Sequence, residues 1–177
     1  MAGNIFQHYQ GAMVLINELT LLTKATAITF PIAGETYKQI RLISVIISGE
    51  TITPPPDTVY TLTINGDTGI NYSIQTAFFR GAGYLFGNSE NGTGIVMAYN
   101  ENRTKEIWAN VEILNTHAGR WKSVLVNGLT NDNSDFPNLF VGASSWRNTA
   151  AIADLTVTAS AADGFGIGSY FAIYGRI

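Results

Sequence analysis

Apolar and polar residues alternate one by one along most of the chain. One face of this alternation carries Tyr60, Leu62 and Ile64 in one segment, Ile107, Ala109, Val111 and Ile113 in another, and Leu155 and Val157 in a third. A period of two turns successive side chains to opposite faces of a strand, so this face is predicted to lie in a core. Further strands are predicted near residues 14–22, 27–30, 40–48, 72–79, 95–98, 121–126, 139–144 and 170–177, which makes about eleven in all.

Turn-forming residues separate these segments. Asn65-Gly66 and Asn127-Gly128 are strong signals for tight turns, and the prolines at 54–56 favour a stiff extended connection. The pattern predicts an all-β fold, namely an antiparallel β-sandwich of jelly-roll type with about eight to eleven short strands. Residues 13–177 are predicted to form this single domain, and residues 1–12 an N-terminal arm or a short helix.

The chain is poor in charged residues. Only 13% of its 177 residues are Asp, Glu, Lys or Arg, while 46% are hydrophobic, and soluble domains average about 25% charged residues. Such a composition fits a large core under a surface of Ser, Thr and Asn. It equally fits a surface that other subunits partly cover, and the two interpretations are compatible.

Charge and hydropathy also bear on the class of partner. The net charge is −3 and the basic residues form no block, whereas proteins that bind nucleic acid through its phosphates need a basic patch. The start of the chain has no basic residue ahead of an apolar stretch, as a signal peptide would. The apolar run at 40–47 is too short to span a bilayer. We therefore expect neither nucleic acid nor membrane as a partner, and synthesis and assembly in the cytoplasm.

Candidate metal and nucleophile sites are sparse. The histidines His8 and His117 are far apart and there is no cysteine, while a zinc site needs about three converging ligands. The stretch 131–135 alternates oxygen-bearing residues like a calcium loop but lacks that loop's glycine and its final glutamate. The stretch 142–146 lacks the closing glycine of a nucleophile elbow. The glycines of 164–168 precede a strand, so this run is interpreted as a flexible turn and not as a phosphate cradle.

The sequence contains no specific motif for glycan binding or cleavage either. None of the 13 acidic residues stands out by its spacing as part of a glycosidase carboxylate pair. Trp108, Trp121 and Trp146 can offer stacking platforms for sugars, although aromatic residues on strands more often anchor a core or an interface. We therefore expect no catalytic residue, no metal and no cofactor, in a protein that is not an enzyme.

Four segments carry a further signal in their order along the chain. They are AITF at 27–30 with TYKQIRL at 36–42, LTINGDTGINYS at 62–73, WRNTAAI at 146–152 with LTV at 155–157, and GSYFAIYGRI at 168–177. Together they resemble a family of structural or tail proteins from tailed-bacteriophage virions, whose members carry NGD-x-G-x-NY and end in a GS-x-F-x-LYG-I strand. The chain differs in Ile173, where the family has Leu, and in Arg176, which is inserted before the last residue. Neither difference alters the strand pattern.

The resemblance implies a β-sandwich or jelly-roll component of the virion, often trimeric, without a catalytic residue. It implies two kinds of partner, namely further copies of the chain in a homotrimer and the major capsid protein or other virion proteins. The location that it implies is the virion.

The NGD-x-G-x-NY stretch is expected to form a rigid structural loop. The residues assigned to it are Asn65, Gly66, Asp67, Thr68, Asn71 and Tyr72. The Asn-Gly pair can take positive φ in a tight turn, the Asp, Thr and second Asn side chains can cap loop amides, and the Tyr can pack where the next strand begins. The residues predicted to anchor an interface are Trp146, Tyr170, Phe171 and Tyr174.

The leading functional hypothesis is a decoration or cement protein that stabilises a bacteriophage capsid through protein–protein contacts. The alternative is a tail or receptor-binding component that recognises host-surface glycans through exposed Trp and Tyr residues. A third hypothesis, from another class, is a glycan-cleaving enzyme of a tail structure.

Overall fold

The computed structural model describes residues 12–49, 58–80, 83–100, 106–130 and 138–177. Within these ranges the protein is all β apart from a single 3₁₀ turn at Gly34–Thr36, which confirms the predicted class. The twelve strands are β1 (Met13–Thr20), β2 (Ala27–Pro31), β3 (Gln39–Ile47), β4 (Thr58–Ile64), β5 (Tyr72–Arg80), β6 (Gly83–Gly92), β7 (Ile95–Asn100), β8 (Glu106–Leu114), β9 (Lys122–Thr130), β10 (Asn138–Trp146), β11 (Asp154–Ala159) and β12 (Tyr170–Arg176). No helix in this part of the chain has the length and apolarity needed to cross a membrane.

The strands form two antiparallel sheets. The large sheet has eight strands in the order β1-β12-β3-β8-β9-β10-β5-β6, and the small sheet has four in the order β2-β11-β4-β7. The two sheets bury their facing sides against one another, as a β-sandwich requires.

Four strand pairs are nested one inside the other along the sequence. The first strand pairs with the last, β1 with β12, and the second pairs with the next to last, β2 with β11. Further in, β3 pairs with β8, and β4 pairs with β7. The other four strands are two hairpins, β5–β6 and β9–β10, which widen the large sheet beyond β8.

The core lies between the sheets and contains the residues that the alternation predicted. Every member of the three inward-facing sets is at most 3% exposed. A row of aromatic rings links the sheets. The ring centroid of Phe30, in the small sheet, lies 5.9 Å from that of Phe171, in the large sheet. The centroid of Phe165 lies 5.4 Å from that of Phe171 and 5.3 Å from that of Tyr60. Offset and edge-on ring contacts of this kind stabilise a core beyond the area that they bury.

The glycine run at 164–168 is a packed crossing at 164–166 and a turn at 167–168, so its interpretation as a flexible turn was wrong for the first three residues. Phe165 exchanges two backbone hydrogen bonds with Ala25, at 2.7 and 3.2 Å, and the amide of Gly166 donates to the carbonyl oxygen of Ile47 at 2.7 Å. Gly164, Phe165 and Gly166 are buried. Gly164 has φ 55, and a Cβ at this position would overlap the carbonyl oxygen of Ala25. Glycine is needed here because two backbone segments approach each other closely.

Three sequence predictions fall outside the described residues. These are the arm at 1–12, apart from residue 12, the proline connection at 54–56 and the calcium-like stretch at 131–135.

Candidate functional site

The loop between β4 and β5 begins with the tight turn that its sequence predicts. Asn65 has φ 56 and Gly66 has φ 62, and the amide of Asp67 donates to the carbonyl oxygen of Ile64 at 3.0 Å. These values describe a type I′ turn, which needs positive φ at both central residues. The Asn65 side chain also bridges to the segment before β11, since its Nδ2 donates to the carbonyl oxygen of Ala151 at 2.7 Å.

The Asp67 carboxylate collects the hydrogen bonds that hold this loop. The indole Nε1 of Trp146 donates to Oδ2 at 2.7 Å, Nδ2 of Asn71 donates to the same oxygen at 2.9 Å, and the amide of Gly69 donates to Oδ1 at 2.9 Å. Burial alone would raise the pKa of Asp67, but the hydrogen bonds from Trp146, Asn71, Gly69 and Asn148 outweigh it and lower the pKa below the ordinary value of 3.8. The carboxylate therefore stays charged and braces the loop against β10.

Tyr72 closes the loop from inside. Its side chain is fully buried. The Tyr72 hydroxyl donates to the carbonyl oxygen of Asp67 at 3.1 Å, and the hydroxyl oxygen accepts the amide hydrogen of Ile64 at 2.9 Å. Burial raises the pKa of Tyr72 to about 12, against the opposing hydrogen bond from Ile64. The hydroxyl is thus neutral at pH 7, and its role in the loop is to join both ends.

Lys122 completes the cluster and was not expected inside. Its side chain is fully buried, and its Nζ donates to the carbonyl oxygens of His117 at 2.8 Å and Arg120 at 2.6 Å. The ammonium lies 5.6 Å from the ring centroid of Trp146, within reach of a cation–π interaction. Burial lowers the pKa of Lys122, and the charge of Glu35 acts in the opposite direction. The only feature of the sequence that indicated its burial was its position two residues before Val124, on a strand whose residues alternate between the two faces.

The polar groups of this loop satisfy one another, so its geometry is that of a structural brace. The second and third segments of the family resemblance meet here, because the loop contacts Trp146 and Asn65 contacts the segment before β11. Arg147 adds a further link, since its guanidinium donates to the carbonyl oxygens of Ile70 at 2.7 Å and Glu90 at 2.5 Å. The loop is thereby tied to β6 as well.

Replacing Asp67 with asparagine tests the brace through pH. Because folding lowers the pKa of Asp67, its contribution to stability is complete above the unfolded-state pKa and is lost as the pH falls through the folded-state pKa, which lies below 3.8. We expect Asp67→Asn to lower the free energy of unfolding by about 2 kcal/mol at pH 7. In urea titrations the difference from the parent should shrink steadily below about pH 4.

Asp163→Asn is the matched control for this experiment. The Asp163 carboxylate pairs with Lys24 at 3.0 Å, but both side chains are about 40% exposed. Exposed ion pairs contribute about 0–1 kcal/mol, so this variant should change stability little at any pH. An Asp67→Asn deficit that stays constant from pH 7 to pH 2.5 would show that the carboxylate's charge has no part in the brace.

The four predicted interface anchors divide into two buried and two partly exposed residues. Trp146 and Phe171 are 0% exposed, so their assignment to an outer interface was wrong: both point from the large sheet into the core. Tyr170 and Tyr174 are partly exposed on the opposite side of β12. The hydroxyl of Tyr170 donates to Oε2 of Glu18 at 3.3 Å, which occupies it within its own sheet.

The residues considered for metal binding and nucleophilic chemistry lie apart in the described ranges. Those ranges contain no group of three or more His, Cys, Asp or Glu side chains placed to hold a metal ion. The elbow-like stretch 142–146 lies inside strand β10, where the hydroxyl of Ser144 donates to the carbonyl oxygen of Ser73 at 2.8 Å. His117 places Nδ1 3.5 Å from Oε2 of Glu35, both at the surface. His8 lies outside the described residues.

The candidate functional surface is instead the outward side of the large sheet over β8, β9, β10, β5 and β6. Its side chains are large, apolar and 36–73% exposed. We call this surface the apolar face; its residues are Phe79, Phe86, Trp108, Leu125, Leu129, Leu139 and Val141. Contiguous apolar surface of this kind usually marks a binding site for another molecule.

Strand register sets these residues side by side. Trp108 pairs with Leu129, Leu129 pairs with Leu139, and Leu139 pairs with Phe79, which makes one apolar row across four strands. A groove of about 630 Å³ lies at the β5–β6 end, between Phe79, Phe86 and the outward residues of β10. A shallower hollow of about 200 Å³ lies beside Trp108 at the other end. The face therefore has a projecting ring at one end and a groove at the other.

Charge is distributed unevenly over the outer side of the large sheet. On β9, β10 and β5 the outward residues include no Asp, Glu, Lys or Arg among those described. On β1, β12 and β3 the outward residues include Glu18, Arg41 and Arg176, and Nε of Arg41 donates to Oδ1 of Asn110 at 2.6 Å. The outward residues of β8 again include charge, at Glu106 and Glu112, so among the described residues the uncharged part of this side is limited to β9, β10 and β5.

Sequence reasoning missed this surface. The exposed leucines, Leu125, Leu129 and Leu139, lie on strands whose other face is also apolar, so alternation alone does not separate inside from outside. The signal that pointed to it was the low content of charged residues. No protein-family model, no curated protein and no solved structure matches the chain.

Proposed function

We propose that the chain is a structural protein of a bacteriophage virion, a decoration or cement protein that works through protein–protein contacts. The observation that carries this proposal is the apolar face, a broad surface of exposed Phe, Trp, Leu and Val side chains. Its groove is lined by carbon-rich side chains such as Phe79, Phe86 and Val141, with Gln75 and Asn88 at one side. Apolar anchors around a desolvated pocket are typical of protein interfaces.

We also propose that the sandwich is a jelly roll, as the resemblance implies. With the hairpins β5–β6 and β9–β10 set aside, the strands run β1-β12-β3-β8 in one sheet and β2-β11-β4-β7 in the other. If these eight strands are labelled B to I in chain order, the two sheets read B-I-D-G and C-H-E-F. This is the strand order that results when one long hairpin folds over into two sheets. Jelly rolls are frequent in viral capsid proteins and lectins, so the order supports a virion component.

The mechanism of a cement protein is mechanical. Its contacts with the major capsid protein exist only in the assembled shell, so their free energy opposes the separation of neighbouring subunits. A stiff domain suits this work, and the brace around Asp67 and the nested strand pairs both restrict motion. The low content of charged residues favours the same role, because few charged side chains must lose their hydration when the contact forms.

Particles of the phage that encodes the chain provide the test. We expect cryo-electron microscopy of purified particles to show the domain on the head at regular lattice positions. Particles made without it should lose their genome at a temperature several degrees lower on heating, because a set of stabilising contacts is missing. Absence of the chain from purified particles would overturn the virion assignment, and a position on the tail would overturn the decoration role.

The alternative function, recognition of host glycans by a tail component, has one observation in its favour. Trp121 is 58% exposed and Trp108 is 54% exposed, and exposed indole faces can stack on sugar rings. Nε1 of Trp108 donates to Oε1 of Glu106 at 2.8 Å, which holds that ring in place. Micromolar binding of host-surface polysaccharide that Trp121→Ala or Trp108→Ala abolishes would favour this function over the decoration role.

A further inference from the structure

We propose that a second copy of the chain occupies the apolar face in a two-fold symmetric arrangement. The inference rests on the proposed function and narrows it: the apolar face takes a further copy of the chain, and the pair contacts the capsid protein through its other surfaces. Three observations support it: the complementary shapes at the two ends of the face, its area, and its charge.

Shape provides the first argument. Trp108 on β8 and Phe79 on β5 lie at opposite ends of one apolar row, three strands or about 14 Å apart. A two-fold axis along the strands, between β9 and β10, would place each copy's Trp108 over the other copy's groove beside Phe79. Leu129 and Leu139 would meet their counterparts near the axis. A surface that is its own complement under a two-fold rotation is what a symmetric dimer requires.

Area provides the second argument. At their exposed fractions the residues of the apolar face offer on the order of 600 Å² of apolar surface, since a whole aromatic side chain buries 150–250 Å². A standard stable interface buries about 800 Å² per partner, and about two thirds of that is apolar at the centre of a homodimer. The face therefore supplies the apolar area of one complete interface.

Charge provides the third argument. Glu112 on β8 lies in the same cross-strand row as Leu125, Ala143, Gln75 and Asn88. The two-fold rotation that seats Trp108 in the groove would place Glu112 opposite neutral amides of the second copy, not opposite another carboxylate. Like charges are thus kept apart, which an interface with its own copy must achieve. A glycan would instead need polar partners along its whole length, whereas the groove offers the side chains of Gln75, Thr76 and Asn88 among a mostly apolar lining.

The test is the mass in solution of the whole chain and of two variants. We expect light scattering after size exclusion to give twice the 19.1 kDa of one chain at tens of micromolar. Leu129→Lys should raise the dissociation constant about thirtyfold or more, because it places two ammonium groups near the axis. Leu22→Lys is the matched control: Leu22 is 84% exposed but lies outside the face, so this variant should keep the parent's mass.

Each outcome decides the question. Circular dichroism and thermal unfolding check that both variants fold, and Trp108→Ser, which removes the projecting ring, gives a second disruption without a new charge. A parent with the mass of one chain or of three chains overturns the inference, as does a dimer that Leu129→Lys and Trp108→Ser leave intact. A monomer that is nevertheless found on phage particles would refute the dimer and leave the proposed function standing. A dimer absent from particles would do the reverse.

Discussion

Replacing Trp146 with alanine is expected to lower the free energy of unfolding by about 4–5 kcal/mol, at the upper end for large aromatic truncations. The side chain is 0% exposed, so its removal leaves a cavity that the two sheets cannot close. It also removes the indole donor of Asp67 and the ring facing Lys122. Both charged groups then lose part of what compensates their burial. The loss is a large fraction of a typical domain's total stability, and urea titration with fluorescence or circular dichroism will measure it.

Trp121→Ala is the control, because Trp121 is 58% exposed and has no such partners among its described contacts. Its loss should change stability by about 0.5 kcal/mol or less. Trp146→Phe keeps a six-membered ring in the core and removes the N–H together with the five-membered part of the indole; we expect an intermediate loss of about 2 kcal/mol. If Trp146→Ala and Trp121→Ala were equally stable, the brace around Asp67 would have no energetic role.

Replacing Gly164 with alanine is expected to cost about 3 kcal/mol or more, from backbone strain and steric overlap together. Gly164 has φ 55, and the added Cβ would overlap the carbonyl oxygen of Ala25, a backbone atom that accepts a hydrogen bond from Phe165. Neither segment can move away without breaking the crossing that packs Phe165 between the sheets. Thermal and urea unfolding of the purified variant will test this value.

Gly119 supplies the matched control for the steric overlap that Gly164→Ala introduces. It has φ 83, but nothing lies within 4 Å of a Cβ built on it. Gly119→Ala therefore carries only the conformational cost of positive φ, about 1 kcal/mol. Equal losses at the two positions would mean that the crossing at Gly164 yields to the extra methyl group and is not tightly packed.

Local pattern was sufficient to predict the class, most strands and the core. The alternation around Tyr60, Ile107 and Leu155 placed the inward residues correctly, because a half-buried strand must alternate. The Asn-Gly turn was equally local, since positive φ depends on the residues of the turn themselves. What failed was the strand β6, whose glycines and polar residues show no alternation. Strand β6 lies at the edge of the large sheet and pairs only with β5, so no strand covers its other edge.

The apolar face and the brace around Asp67 are formed by residues that lie far apart in the sequence, so no local sequence pattern predicts them. Trp146 meets Asp67 across 79 positions, so the sequence suggested an interface anchor where the fold has a core residue. Burial is unusual for a lysine, and that of Lys122 follows from two backbone carbonyls that the chain brings around its ammonium group. The apolar face arises only when the registers of β8, β9, β10 and β5 align Trp108 with Phe79.

The position of β12 has a consequence for how the protein reaches its native state. This strand lies between β1 and β3, so β1 has no neighbour in the sheet, and β3 has only β8, until residues 170–176 have left the ribosome. Such distant pairing makes folding slow and largely post-translational. Until then the emerging polypeptide displays unpaired strand edges and is prone to aggregate. Yield in a recombinant host should therefore respond to chaperone supply and to growth temperature more than to codon choice.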